Sequence, residues 1–171
     1  NSQLEHFLSA PEATTDMPMS AKVWLGEAIA IKEPTNALFK RQSGSNLIVV
    51  GQREDPALAM MCVTLVSLAA QYPVCSDKNS GKSLEFYVFD STTDDDPYKG
   101  LLGKVAEIVP QNVHMVEWRD ITESLSKIAA EINRRQEAHE VNASSIYVIV
   151  HGLHRFRMLR RKDADFSFSS Y

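Results

Sequence analysis

Residues 51–58 follow the spacing of a phosphate-binding loop but lack its reactive side chains. Gly51 comes directly after the apolar run 46–50 and takes the first position of the frame G-x-x-x-x-G-K-[ST]. The last three positions of that frame are Pro56, Ala57 and Leu58. The lysine that contacts the β- and γ-phosphates is therefore absent, and so is the hydroxyl that holds magnesium. The pattern predicts a nucleotide-binding scaffold without its catalytic groups.

Two interpretations of this loop remain open. Backbone amides at a helix N-terminus attract anions without any particular side chain, so residual nucleotide binding is one of them. Glu54 and Asp55 put negative charge where a phosphate would lie, which favours the other interpretation, a structural turn. The candidate nucleotide contacts are Gly51, Gln52, Arg53, Glu54, Asp55, Pro56, Ala57 and Leu58.

A second candidate position follows the apolar run 146–150. ATPases place an aspartate, and often a glutamate after it, behind such a strand to hold magnesium and polarise water. This chain has His151 and Gly152 there, and a neutral imidazole does not replace a carboxylate toward Mg²⁺. His154 adds a second imidazole, but two histidines without a third ligand make a weak metal motif. We expect no catalytic residue and no metal site in this domain.

A short basic cluster follows this position. It could contact nucleic acid, the acidic surface of a neighbouring subunit or a partner. It could also form a solvated helix face, since the acids at 163 and 165 partly offset it. Both interpretations stay open at this stage. The cluster consists of Arg155, Arg157, Arg160, Arg161 and Lys162.

Composition sets limits on what the domain does. The 171 residues suffice for one domain, and 44% hydrophobic with 23% charged residues is typical of a globular protein. The net charge of −4 argues against nucleic-acid binding by this domain alone. The apolar stretch 57–70 is shorter than the roughly 20 residues that span a bilayer, so we expect a buried helix and no direct membrane insertion.

Apolar strands alternate with helices along the chain. Strands that are apolar throughout indicate an α/β fold with a mostly parallel sheet covered on both faces, where ligands lie beyond the carboxyl ends of the strands. A short β-hairpin is predicted at 23–31 and 37–39. The predicted central strands are 46–50, 84–90, 113–116 and 146–150. The predicted helices are 56–71, 98–108 and 120–139.

The order of these segments resembles that of FtsK/SpoIIIE-type ATPases. The stretch LGEAIAIKEPTNALFKRQSGSNLIVVG, the strand that ends at Asp90 and the helix DITESLSKIAAEINRRQ are similar to this family's hairpin, core strand and following helix. The resemblance covers about residues 22–162. It implies a RecA-like P-loop NTPase domain of three layers at 21–171, shortened at its C-terminal end. Residues 1–20 are rich in Ser, Thr, Pro and acidic side chains, and we expect them to be a leader or linker.

The departures at both nucleotide motifs make the chain similar to the degenerate ATPase modules of EccC-like type VII secretion motors. This implies a non-hydrolysing domain of a DNA or protein translocase, in cell division or secretion, with a structural, regulatory or partner-binding role. The alternatives are a substrate-protein-binding module of a secretion motor and an ATP-binding domain with an unusual phosphate loop.

The resemblance also implies partners and a location. No cofactor is expected in this domain, whereas the parent protein would use ATP and magnesium. The expected partners are neighbouring ATPase domains, a hexameric motor assembly, and a DNA or secreted-protein substrate bound through the full-length protein. The expected location is cytoplasmic, or tethered to a membrane through a segment outside this sequence.

Overall fold

The computed structural model describes residues 2–9, 17–27, 31, 33–42, 44–74, 84–140 and 143–159. Its helices are α1 (Ser2–Ser9), α2 (Glu54–Ala70), α3 (Leu101–Ile108) and α4 (Ile121–Glu137). Its strands are β1 (Ser20–Gly26), β2 (Thr35–Lys40), β3 (Glu85–Asp90), β4 (Asn112–Val116) and β5 (Ile146–His151). Short 3₁₀ turns lie at Trp118–Asp120, Leu153–Arg155 and Arg157–Leu159.

The first two strands form the antiparallel hairpin that the sequence predicts, but with different bounds. β1 covers 20–26 where 23–31 was predicted, and β2 covers 35–40 where 37–39 was predicted. Ser20 pairs with Lys40, and the register shifts between Trp24 and Gly26. Ala21 and Val23 are fully buried on the side of the hairpin that packs on α2. The hairpin therefore belongs to the main core of the described residues.

Gln71, at the end of α2, joins this helix to the hairpin. Its Oε1 accepts a hydrogen bond from the amide of Lys22 at 2.8 Å, and its Nε2 donates to the carbonyl of Lys22 at 2.6 Å. Nε2 also donates to the carbonyl of Ser67 at 2.6 Å. One side-chain amide thus satisfies the peptide groups of β1 that a neighbouring strand would otherwise satisfy.

The other three strands form a parallel sheet in the order β4-β3-β5. The side chains of β3 alternate between its two faces, as the two-residue period of a strand requires. Phe86 and Val88 lie in the core cluster that includes α2 and α3, whereas Phe89 lies in a second cluster with Ile121 of α4 and Phe156. Helices therefore cover both faces, which confirms the α/β class and the parallel arrangement of these three strands.

The prediction of a fourth central strand at 46–50 is wrong. These residues belong to neither sheet of the described chain, and Ile48 and Val50 are 77% and 88% exposed. A short apolar run fits a buried strand by composition, but a strand also needs a hydrogen-bonding neighbour. Here the outer edge of β5 does not pair with this segment, and both line one cleft.

Two helices, α2 and α3, start at residues other than the predicted ones. α2 begins at Glu54 instead of residue 56, so Pro56 is its third residue and Glu54 and Asp55 lie in its first turn. α3 begins at Leu101 instead of residue 98, after a left-handed Gly100 that interrupts the preceding turn. Acidic residues suit the first turn of a helix because its free amides are partially positive, which explains the earlier start of α2.

Two aromatic contacts fix peripheral segments. Within the predicted leader 1–20, Leu4 of α1 is buried, and the ring of Phe7 lies 5.6 Å from that of Trp24. Behind the sheet, Trp118 stacks on Phe156 with ring centroids 5.0 Å apart. In the described part of the chain, no helix has the length and apolar character needed to cross a membrane.

Candidate functional site

The carboxyl ends of β3 and β5 bring an acid and an imidazole together. Asp90 and His151 are register partners, and the His151 Nδ1 lies 3.2 Å from the Asp90 Oδ1. Thr92 completes the group, because its amide donates to Asp90 Oδ1 at 3.0 Å and its hydroxyl donates to the same oxygen at 2.5 Å. A carboxylate can only accept, so the Nδ1 of His151 carries the proton in this contact.

This group is largely shielded from solvent. His151 is 4% exposed and Thr92 is 8% exposed. Burial by itself would raise the pKa of the Asp90 carboxyl, but the hydrogen bonds from His151 and Thr92 outweigh burial and hold that pKa below the usual aspartate value. Asp90 therefore stays ionised, and its Oδ1 is already engaged by donors from His151 and Thr92.

Gly152 lets the chain turn directly after His151. Its φ is +70°, a left-handed conformation that other residues adopt with strain. A Cβ at this position would also collide with the hydroxyl of Ser91, which donates to the carbonyl of His151 at 2.8 Å. Gly152 thus has a structural role at the second Walker B position, which is the place after the strand where ATPases often have a glutamate.

Arg155 connects the end of the sheet with the start of α2. Its Nη1 donates to the carbonyl of Ser91 at 2.9 Å, and its Nη2 lies 2.8 Å from Glu54 Oε1. Glu54 is the first residue of α2, so its carboxylate lies where a phosphate would approach the helix N-terminus. Arg53 pairs in the same way with Asp55, at 2.6 Å. Glu54 and Asp55, the two acids expected to repel a phosphate, therefore each have an arginine partner.

The rest of the candidate loop divides into an exposed part and a core part. Gly51, Gln52 and Arg53 are exposed. A Cβ on Gly51 would meet no atom within 4 Å, so no close backbone approach requires glycine there. Leu58, which takes the position of the magnesium-holding hydroxyl, is 3% exposed and packs in the main core. Pro56 and Ala57 lie half-buried in the first turns of α2.

The basic cluster is only partly within the described residues. Arg155 and Arg157 lie in two successive 3₁₀ turns, where the sequence suggested a helix face. Arg157 is exposed, while Arg155 is half-buried in the contacts given above. Arg160, Arg161 and Lys162 lie outside the described residues. The structure thus separates Arg155, a residue of the site, from Arg157 on the surface.

Metal coordination finds no support within the residues that the structure describes. No group of three or more His, Cys, Asp or Glu side chains is placed there to share an ion. His154 is exposed, whereas His151 is buried against Asp90, so the two histidines do not form the pair that their spacing suggested.

Sequence reasoning missed three members of the site. Thr92, Ser91 and the link from Arg155 to Glu54 were not predicted. The series Asp90-Ser91-Thr92 carried a signal for the first of these, because an aspartate side chain commonly accepts hydrogen bonds from the residue two positions on. The ion pair between Arg155 and Glu54 joins residues 101 positions apart and has no local signal.

In the assembled site, each of two carboxylates, Asp90 and Glu54, has a side-chain partner. Asp90 bonds the imidazole of His151, and Glu54 bonds the guanidinium of Arg155. Both contacts lie at the carboxyl end of the sheet, where α/β proteins bind ligands. Among the described residues, the arrangement is suited to joining strand ends and a helix start. No protein-family model matches this chain, and neither a curated protein nor a solved structure matches it significantly.

Proposed function

We propose that this chain is a non-hydrolysing domain of an FtsK/SpoIIIE-like DNA or protein translocase, with a structural, regulatory or partner-binding role. The observation that carries the proposal is the ion pair between Glu54 and Arg155. The protein's own carboxylate takes the place at the start of α2 that a bound phosphate would need.

The finer assignment of the fold belongs to this proposal as well. A RecA-like domain has its phosphate loop and its Walker B residues beyond the same edge of a parallel sheet. Gly51 and His151 line one cleft next to β5, which supports that assignment. In this reading the Asp90 and His151 pair replaces the magnesium site, and Leu58 replaces a metal-holding hydroxyl with a core contact.

The cleft also favours one of the alternatives, a module that binds a substrate protein. Its walls carry exposed apolar side chains of the segment 46–50 and of β5, in addition to the polar residues of the site. A nucleotide does not need such a surface. The two assignments are compatible, because a domain that has lost hydrolysis can keep a partner-binding role.

Restoring the phosphate loop tests the proposal. We replace Glu54, Asp55, Pro56 and Ala57 with Ser, Gly, Gly and Lys, and we leave Leu58 unchanged because removing a buried leucine costs about 2–5 kcal/mol. The changes remove both acids, free Arg155 and supply the missing lysine. The matched control keeps Ala57 and carries the other three changes.

Calorimetry with ATP should then detect no binding to the wild type and clear binding to the restored variant. The control should bind at least about tenfold more weakly, because one charge-assisted phosphate contact contributes about 1.5–3 kcal/mol. Adding His151→Asp should make binding depend on magnesium, since two carboxylates would then adjoin at the end of the sheet.

Two results would refute the proposal. One is a folded restored variant, verified by circular dichroism, that does not bind ATP even with His151→Asp. The other is ATP turnover by the wild type above a buffer blank that Asp90→Asn abolishes, since the domain would then hydrolyse ATP through its own residues.

A further inference from the structure

β5 is an open edge of the parallel sheet in the described part of the chain. It pairs with β3 on one side, and its other side borders a cleft of about 1450 Å³. Val148, in the middle of β5, is 45% exposed. An open edge presents unpaired N–H and C=O groups, which form a template for another strand.

The segment 46–50 also lines the cleft. It runs without a sheet partner among the described residues, and its side chains are apolar and accessible. Leu47 is 42% exposed, Ile48 77%, Val49 36% and Val50 88%. Four consecutive exposed apolar residues are an unusual surface for a globular protein and indicate an interaction site. From α2, Met60 and Met61 also line the cleft, and methionines adapt to different partners.

The charges around the cleft differ in sign from those of the whole chain. The net charge of the protein is −4, yet the Lys, Arg, Asp and Glu residues that line the cleft are four basic ones and a single acid, Glu54. Several of the arginines have partners, which reduces the field that they create. The net positive charge of the lining residues still favours acidic groups on a ligand that enters the cleft. The basic lining residues are Lys40, Arg41, Arg53 and Arg135.

We propose that the cleft binds an extended apolar segment of a partner protein, flanked by acidic residues, which adds a strand to the open edge of β5. Main-chain hydrogen bonds to β5 supply one side of the contact, and apolar contact with 46–50 supplies the other. The inference rests on the partner-binding role in the proposed function and names the chemistry of the partner.

The other edge of the same sheet provides an internal comparison. Met115 of β4 is 41% exposed, close to the value for Val148, but β4 does not line the cleft. If strand addition requires only an open edge, β4 and β5 should bind an added strand equally well. If it requires the apolar cleft with its basic lining, only β5 should bind one.

The test uses the full chain and a synthetic peptide of about nine residues, with alternating valine and threonine in its centre and aspartates at both ends. Fluorescence anisotropy of the labelled peptide gives its Kd. A second peptide has the same side chains but carries methyl groups on alternate backbone nitrogens, which removes donors for main-chain pairing.

We expect the first peptide to bind and the methylated peptide to bind at least about tenfold more weakly. Val148→Asp and Ile48→Asp should each weaken binding by at least about tenfold, because each places a carboxylate against the acidic, apolar peptide. The matched variant Met115→Asp should leave the Kd unchanged. Ile48 is so exposed that its variant should fold even if Val148→Asp does not.

Three outcomes of the peptide experiments would overturn the inference. They are no binding to the folded wild type, equal binding of the methylated peptide, and equal loss from Met115→Asp. A dimer in analytical ultracentrifugation that Val148→Asp dissociates would assign the cleft to a second copy instead, and would also overturn it. ATPase assays of the same samples keep this result separate, because ATP turnover with intact peptide binding would refute the non-hydrolysing role alone.

Discussion

Asp90 shows how one side chain at the end of a strand depends on its neighbours. It accepts hydrogen bonds from the Thr92 amide and hydroxyl and from the ring of His151. These donors favour the carboxylate over the neutral acid, which is why the pKa of Asp90 is lowered despite burial. An ionised group that is stabilised only in the folded protein links stability to pH.

Asp90→Asn should therefore destabilise the protein in a pH-dependent way. The folded-state pKa of Asp90 lies below its unfolded value of about 3.9, so the stabilising contribution is complete above that value. It is lost as the pH falls through the folded-state pKa. At pH 7 we expect a loss of about 1–3 kcal/mol in the free energy of unfolding, measured by urea denaturation.

The difference between wild type and Asp90→Asn should shrink below about pH 4. Asp94→Asn is the control, because Asp94 forms an exposed ion pair with Lys99 and such pairs contribute about 0–1 kcal/mol. A gap between wild type and Asp90→Asn that stays constant from pH 7 to pH 3 would show that Asp90 carries no linked proton.

At the scale of elements, β3 and the segment 46–50 look alike as sequences and differ as structures. Both are short apolar runs, but β3 has hydrogen-bonded neighbours on both sides, whereas 46–50 pairs with no strand of the described chain. Hydrogen exchange should separate them, because amide protection depends on the hydrogen bond and on the cost of opening it.

Amides of 86–89 should exchange at least about a hundredfold more slowly than those of 47–50, measured by NMR or mass spectrometry. The buried strand core resists opening, while the exposed segment has no ladder to break. Equal protection of both segments would restore 46–50 as a strand and contradict the structure. The synthetic peptide proposed above should slow exchange at 146–150, but the comparison of 86–89 with 47–50 is made without the peptide.

These two segments also explain how far sequence reasoning reached. Continuous apolar runs located β3, β4 and β5, and their alternation with helices predicted a parallel sheet. Composition could not show which runs find a partner, so 46–50 was misplaced. Gly51 and His151, the two positions that the sequence singled out, line one cleft. The pair between Glu54 and Arg155 depends on tertiary packing and has no local signal in the sequence.

At the scale of the whole molecule, α2 holds the hairpin and the parallel sheet together. The core cluster contains Ala21 of the hairpin, Leu65 of α2 and Val88 of the sheet. Gln71 adds a polar link at the end of the helix, through its paired hydrogen bonds to Lys22. Because one core spans all three parts, they should unfold in a single transition.

Gln71→Ala should lower the free energy of unfolding by about 1–3 kcal/mol, because the peptide groups of Lys22 lose their partners in a partly buried place. Gln136→Ala is the matched control, since Gln136 is exposed on α4 and surface changes of this kind are within about 0.5 kcal/mol. Thermal denaturation that becomes biphasic in Gln71→Ala would show that the hairpin can detach. No loss of stability would show that the link is dispensable.

The stack of Trp118 on Phe156 gives the protein a built-in optical reporter. The chain has two tryptophans, and they occupy different surroundings: Trp24 is 7% exposed in the hairpin, and Trp118 is 51% exposed beside the turns that follow His151. Phe156 itself lines the cleft. In a Trp24→Phe variant, the emission wavelength and quenching of the remaining indole would follow events at the site without any label. A ligand that moves Phe156 should shift the emission wavelength of Trp118, so ligands can be screened with a fluorimeter alone.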